Sequence, residues 1–200
     1  FQMKPIKLIL GIILIGIYPN SVKAQNLNQV LRSELSSTNP GILFSIESGD
    51  KQISWSGAAG INDLSIGDSL QVRRTFRIAS VTKTYVAVAI LRLMEKKMLR
   101  LEDPISKHLS PAHAVILAQD YDLEQITIEQ ILRHSAGFFD HTRAPEFFDR
   151  IFSTPSYEWT RTAQIQLGVE KGERIGTPGT QFSYSDMGYV ILGELIETYT

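Results

Sequence analysis

The longest nearly uninterrupted apolar run after the N-terminal residues spans Tyr85 to Met94, broken by Arg92, and Val86-Ala87-Val88-Ala89-Ile90-Leu91 leaves no polar face on a helix. This pattern predicts a buried, central helix over Val81–Met98, returned to solvent near its end by Glu95-Lys96-Lys97. Upstream, Leu27, Val30, Leu31 and Leu35 recur at helical spacing and predict a helix over Asn26–Ser37, stopped by Asn39-Pro40-Gly41. Ile42–Glu47 and Gln52–Ala58 flank the turn residues Ser48-Gly49-Asp50-Lys51, which predicts a β-hairpin with Ile53 and Trp55 as candidate core residues. Gly57 and Gly60 mark a close approach or a twist at its end. Ile61–Val72 is polar and loop-like, and Thr75–Ile78 is a short strand leading into Ser80.

Beyond the long apolar helix the pattern is helical, without a convincing strand pair up to about Asp186. Asp103-Pro104 opens a short helix with Pro at its first position. Thr127-Ile128-Glu129-Gln130 is a capping-box pattern before Ile131-Leu132, in a helix that stops near Gly137. Pro145–Phe152 and Trp159–Leu167 read as helices, and the glycine-rich segment Gly168–Thr180 as a loop. Met187, Val190, Ile191 and Leu195 give a final helix that runs into Thr200 with no stop signal. The order is helix, hairpin, short strand, buried helix, then helices: an α/β (α+β) fold with only three strands, too few to stand alone. Further strands are expected beyond residue 200.

The N-terminus departs from this pattern. From Met3, Lys4 and Lys7 precede the uncharged run Leu8–Ile17, and Val22-Lys23-Ala24 carries small residues where a signal peptidase reads. Residues 1–24 are therefore expected to be a signal peptide, with cleavage after Ala24. The run is short for a permanent membrane anchor. Export to the periplasm or the medium follows, with no stable membrane anchor after cleavage. The chain has no cysteine, so neither disulfides nor thiol chemistry contribute. A formal charge of −1 and the absence of a basic stripe argue against a nucleic-acid partner.

Ser80 and Lys83 stand at the predicted start of the apolar helix, one turn apart on one face. A hydroxyl beside an amine at a helix N-terminus is a way to build a nucleophile. The same spacing also fits an N-capping Ser and a solvated Lys, and Ser48–Lys51 matches it by chance within a turn. Pro178-Gly179-Thr180-Gln181-Phe182-Ser183-Tyr184-Ser185-Asp186 delivers a Tyr and a carboxylate to the start of the last helix. Tyr184 can exchange protons with a Ser hydroxyl or serve as an aromatic packing residue; Asp186 also fits a helix cap. His134 reads as structural, and His108, His113 and His141 lack metal-ligand spacing. Gly67-Asp68-Ser69-Leu70 spells a hydrolase block without its strand or its histidine partner, and no G-x-S-x-G is present.

Four stretches in order resemble the serine β-lactamase/penicillin-binding-protein superfamily: Phe76–Lys83, Leu101–Ile105, Ile126–Gly137 and Pro178–Tyr189. The nearest branch is that of class C β-lactamases, D-Ala-D-Ala carboxypeptidases and related esterases. The resemblance covers about Pro40 to the end. It implies a β-lactamase/transpeptidase-like fold, a mixed sheet flanked by helices plus a helical subdomain, with the final strands outside this chain. Residues 25–102 would form the α/β part, 103–182 the helical subdomain, and 183–200 the Tyr motif and its helix, with the site in the cleft between the two parts. It also implies that Ser80 is acylated, that Lys83 is its proton partner, that Tyr184 is the general base and acid, and that the Ser80 N–H is one oxyanion donor. No metal or cofactor is implied.

Two departures qualify the resemblance. Asp186 stands where the family has Asn; a carboxylate cannot donate to a substrate carbonyl, and it can pair with Lys83 and keep it charged. The K-T-G or H-x-G strand is absent from these residues, so the 200-residue chain alone is expected to be inactive. The reading is an exported serine hydrolase acting through an acyl-enzyme on a β-lactam, a D-Ala peptide or a small ester. The rival is a non-catalytic peptidoglycan- or peptide-binding member of the same fold.

Overall fold

The computed structural model describes residues 24–49 and 53–200. The expected signal peptide, but for Ala24, and the centre of the hairpin turn lie outside the described residues. The chain divides into two compact units, the first ending at Arg77 and the second comprising Ile78–Thr200.

In the first unit, α1 (Ala24–Ser33) precedes β1 (Gly41–Glu47), β2 (Ser54–Asp63) and the two-residue β3 (Asp68–Ser69). The sheet is antiparallel in the order β1-β2-β3, with Gly41 opposite Gly60 and Glu47 opposite Ser54. Ser45 and Ser56 join hydroxyls across the ladder at 2.9 Å. Gly60 has φ +86°, and a side chain there would collide with the Pro40 carbonyl, which accepts the Ile61 N–H at 2.8 Å. Gly57 leaves the space that the Trp55 ring fills. Both glycines thus have the close-approach role expected of them.

Three expectations for this unit are corrected. Ile53 is exposed rather than in the core, because it precedes β2 at the turn end of the hairpin. Ile61–Val72 is not all loop: β2 continues to Asp63, and β3 pairs back on it across a register shift. Residues 75–78 form no strand, since no ladder partner lies beside them among the described residues.

The second unit is helical: α2 (Thr82–Glu95), α3 (Pro111–Leu117), α4 (Ile128–Leu132), α5 (Pro145–Ser153), α6 (Arg161–Lys171) and α7 (Asp186–Tyr199). The central helix is α7, which packs on α2, α4 and α6 and buries Met187, Ile191, Leu192 and Leu195. The sequence pattern assigns that position to α2. However, α2 buries only Ile90 and Leu93, while Tyr85, Val88 and Leu91 are exposed. An apolar helix is buried only where neighbours cover it, and within this unit α7 covers one side. That packing also groups the Ser80 helix with the helical unit rather than with the strands.

Local chemistry explains the remaining elements. The capping box at α4 is formed in both directions, Gln130 N–H to Thr127 Oγ1 at 3.2 Å and Thr127 N–H to Gln130 Oε1 at 3.0 Å. The Asp103-Pro104 signal yields a 3₁₀ turn over Ile105–Lys107 instead of a helix. Helix α6 extends through Gly168 to Lys171, into the segment read as loop. At Gly168, inside α6, a Cβ would press on Met187 Sδ, and its absence lets α6 and α7 approach closely. His113 ties three helices together, meeting Glu194 Oε2 at 2.8 Å through Nδ1 and Thr162 Oγ1 at 2.9 Å through Nε2.

Replacing Ile191, which has no exposed surface, by Ala is expected to cost about 2–5 kcal/mol of unfolding free energy. Urea titration of the two proteins side by side measures it.

Candidate active site

A 3₁₀ turn over Ala79–Val81 carries Ser80 into α2. Ala79 has φ +45°, a left-handed conformation that costs a residue with a Cβ, placed directly before the candidate nucleophile. Ser80 is exposed, and Lys83 one turn on is half-buried. Lys83 Nζ lies 3.2 Å from Ser80 Oγ. The Tyr184 hydroxyl, just before α7, donates to the same Oγ at 2.9 Å. Lys83 also forms an ion pair with Asp186, the first residue of α7. The structure therefore brings together Ser80, Lys83, Tyr184 and Asp186 from the starts of two helices. All four lie within the helical unit.

The charge state of Lys83 follows from its neighbours. Burial alone would lower its pKa, but the hydrogen bond and charge of Asp186, with the contact to Tyr184, outweigh burial and raise it above the ordinary lysine value. Its ammonium stands 5.0 Å from the centre of the Tyr184 ring and 5.6 Å from that of Tyr189. Burial raises the Tyr189 phenol pKa, and the Lys83 charge opposes this. The pairing anticipated from Asp186 is thus present, and it holds Lys83 as a cation.

Tyr184 is delivered by a segment bonded along the chain that follows α4. Ile175 N–H donates to Gly137 O at 2.9 Å, Gly179 N–H to Ser135 O at 2.7 Å and Ser183 N–H to His134 O at 2.7 Å. Gly137, at φ +80°, has the Ile175 carbonyl where a Cβ would stand. Ser185 completes the docking through its hydroxyl to Phe139 O at 3.2 Å.

Three residues at the site were not assigned to it from the sequence. His134 stacks on Tyr184 with ring centres 4.4 Å apart. Tyr189 faces Lys83, and its hydroxyl donates to Leu132 O at 3.0 Å; its position one turn after Asp186 on the same helix was the available signal. His141 is 1% exposed with Nδ1 unpartnered. It lines a cavity of about 280 Å³ with Lys83, Val86, Phe147, Asp186 and Tyr189. No sequence signal separates it from the other histidines.

The fold and the hydroxyl–amine–phenol cluster define the class: a serine β-lactamase/penicillin-binding-protein-like protein. Residues 37–200 match the Beta-lactamase family model, and the chain belongs to that family. It is 33% identical over 129 residues to the probable fimbrial assembly protein FimD, serogroup H1, of Dichelobacter nodosus, covering 64% of this chain and 30% of that protein. It is 30% identical over 125 residues to Protein flp of Staphylococcus aureus (strain COL), covering 62% of this chain and 23% of that one. The chain thus spans less than a third of these relatives. Among solved structures it is similar to a D-stereospecific amidohydrolase from Streptomyces sp., with 26% identity and a TM-score of 0.71 over 89% of this chain and 50% of that chain. It shares its fold with the octameric penicillin-binding protein homologue from Pyrococcus abyssi, with 24% identity and a TM-score of 0.65 over 87% of this chain and 38% of that chain.

Two measurements probe the electrostatics. Asp186→Asn removes the charge that raises the Lys83 pKa, so the Lys83 amine is expected to titrate at lower pH, followed by NMR of its side chain. Burial lowers the pKa of both His134 and His141, and the Lys83 charge adds to it at each. The unfolded chain takes up these protons near the ordinary value of about 6.5, whereas the folded chain resists them. Stability is therefore expected to fall as pH drops through about 6.5, seen as a declining melting temperature between about pH 7.5 and 5.5.

Proposed function

We propose that the full-length protein is an exported serine hydrolase that works through an acyl-enzyme, with Ser80 as nucleophile and an amide or ester as substrate. The observation that carries this reading is the convergence on Ser80 Oγ of the Tyr184 hydroxyl at 2.9 Å and Lys83 Nζ at 3.2 Å. With Lys83 kept charged by Asp186, the proton acceptor is Tyr184, acting as its phenolate with the Lys83 ammonium beside it. The phenolate takes the Ser80 proton as Oγ bonds to the substrate carbonyl carbon. The tetrahedral centre collapses with cleavage of the C–N or C–O bond, and Tyr184 returns the proton to the departing amine or alcohol. A water molecule then attacks the Ser80 ester, Tyr184 accepts its proton, and the acid leaves as that proton returns to Ser80. The Ser80 N–H, at the start of a helix, is one donor for the oxyanion.

Similarity to a D-stereospecific amidohydrolase supports a small amide or a D-residue peptide as substrate; β-lactams and small esters offer the same type of acyl carbon. The 280 Å³ cavity beside Lys83 suits a small group. A second reading, a non-catalytic peptidoglycan or peptide binder, draws support from the Lys83–Asp186 pair, which replaces a donor to substrate with a carboxylate.

Intact-mass analysis of the full-length protein after treatment with a fluorophosphonate or a fluorescent penicillin distinguishes the two. The expected result is one adduct, lost in Ser80→Ala, and formed about a hundred- to ten-thousandfold more slowly in Tyr184→Phe. No adduct with Ser80 intact would reject the enzyme reading.

A further inference from the structure

His134 has no direct hydrogen bond to Ser80, yet it holds Tyr184 at three points. Its carbonyl accepts the Ser183 N–H at 2.7 Å. Its Nδ1 accepts the Ser185 N–H at 3.2 Å. Its ring lies on the Tyr184 ring, with centres 4.4 Å apart and planes inclined by 29°. The two amides are those on either side of Tyr184, so one residue fixes the backbone before and after the tyrosine and the face of its phenol. The geometry needs a special backbone: His134 has φ +55°, left-handed for a residue with a Cβ. That conformation aims the carbonyl and the ring at one segment. The Ser185 side chain does not cap α7 but bonds Phe139 O instead. The His134 ring accepts the Ser185 N–H, one of the donors that the helix start leaves open.

We propose that His134 is a positioning residue, which holds the Tyr184 hydroxyl on Ser80 Oγ through this three-point clamp. The proposal rests on the reading of Ser80 as nucleophile and Tyr184 as its proton acceptor. The clamp requires an imidazole with Nδ1 unprotonated, since a protonated Nδ1 would set two N–H groups against each other. The charged and titratable groups facing the ring are Lys83 from α2, Asp186 and Tyr189 from α7, and Asp140 after α4. Burial and Lys83 favour the neutral ring over the opposing carboxylates. The clamp therefore opens on acidification.

The test uses the full-length protein. His134→Phe keeps an aromatic face and removes the acceptor; His134→Asn tolerates the left-handed backbone and removes the face. Each is expected to lower kcat on a nitrophenyl ester by about a hundredfold with KM within about twofold, and to slow fluorophosphonate labelling in parallel. In a Tyr184→Phe background, His134→Phe is expected to change the labelling rate by less than about twofold, since its effect runs through the hydroxyl already removed. Folded variants that label at the wild-type rate would overturn the proposal, as would effects that multiply in the double variant. Should the variants fail to fold, ¹⁵N NMR of the wild-type imidazole decides: an acceptor Nδ1 with the proton on Nε2 supports the clamp, and a protonated Nδ1 at neutral pH overturns it. Persistent turnover in Ser80→Ala would instead mark failure of the underlying nucleophile reading.

Discussion

The packing of α2 against α7 sets the distances at the candidate site. Ser80 and Lys83 ride on the start of α2, Tyr184 and Asp186 on the start of α7, and the two helices meet within one core. Neither start is held by a side-chain cap of its own first residue. What holds them is the buried apolar surface behind, notably Ile90 and Leu93 on one helix and Met187 and Ile191 on the other. Side chains in such a core fit at near-crystalline density, so the helices cannot slide without opening voids. A 2.9 Å contact between residues more than a hundred positions apart is a product of that rigidity.

Both helix starts carry the positive end of a peptide dipole, and Lys83 adds a full charge between them. Asp186 answers that charge. With a neutral amide in its place, Lys83 would face burial and two helix ends without a counter-ion, and its proton would be easier to lose. With a carboxylate, the cation is locked in, and in the mechanism proposed above the proton transfer moves to the phenol. One residue thus sets the charge state of the amine beside Ser80. The identity of the residue two places after the tyrosine is a chemical choice as much as a structural one.

Much of this was legible in the sequence, and the failures share a cause. The α4 capping box, the α5 and α7 patterns, the close approaches at Gly57 and Gly60 and the family resemblance are local or ordered signals, readable from neighbouring residues. The reach of Ser80 to Tyr184 was legible only through the resemblance, because the spacing of Ser80 and Lys83 alone also fits a cap. What could not be read depended on distant partners. Whether the apolar α2 is central depends on which helices lie beside it. Gly168 looks like a loop residue until Met187 is seen against it. Ile53 looks like core until the end of its strand is known. His134 reads as structural by type; its tie to Tyr184 is a matter of a left-handed backbone that sequence does not display.

The hydrogen bonds between residues 134–139 and 175–185 have one more consequence. They tie together the two ends of the excursion that carries α5 and α6, so that the chain between them leaves and returns at a fixed neck. Within the excursion, α6 is anchored to α7, but α5 presents Phe148 and Phe152 to solvent. The same α5 supplies Phe147 to the wall of the cavity beside Lys83. A substitution in α5 can therefore reshape that wall while the neck keeps the tyrosine in register. The neck that sets the tyrosine and the helix that walls the cavity are thus separate stretches of one excursion.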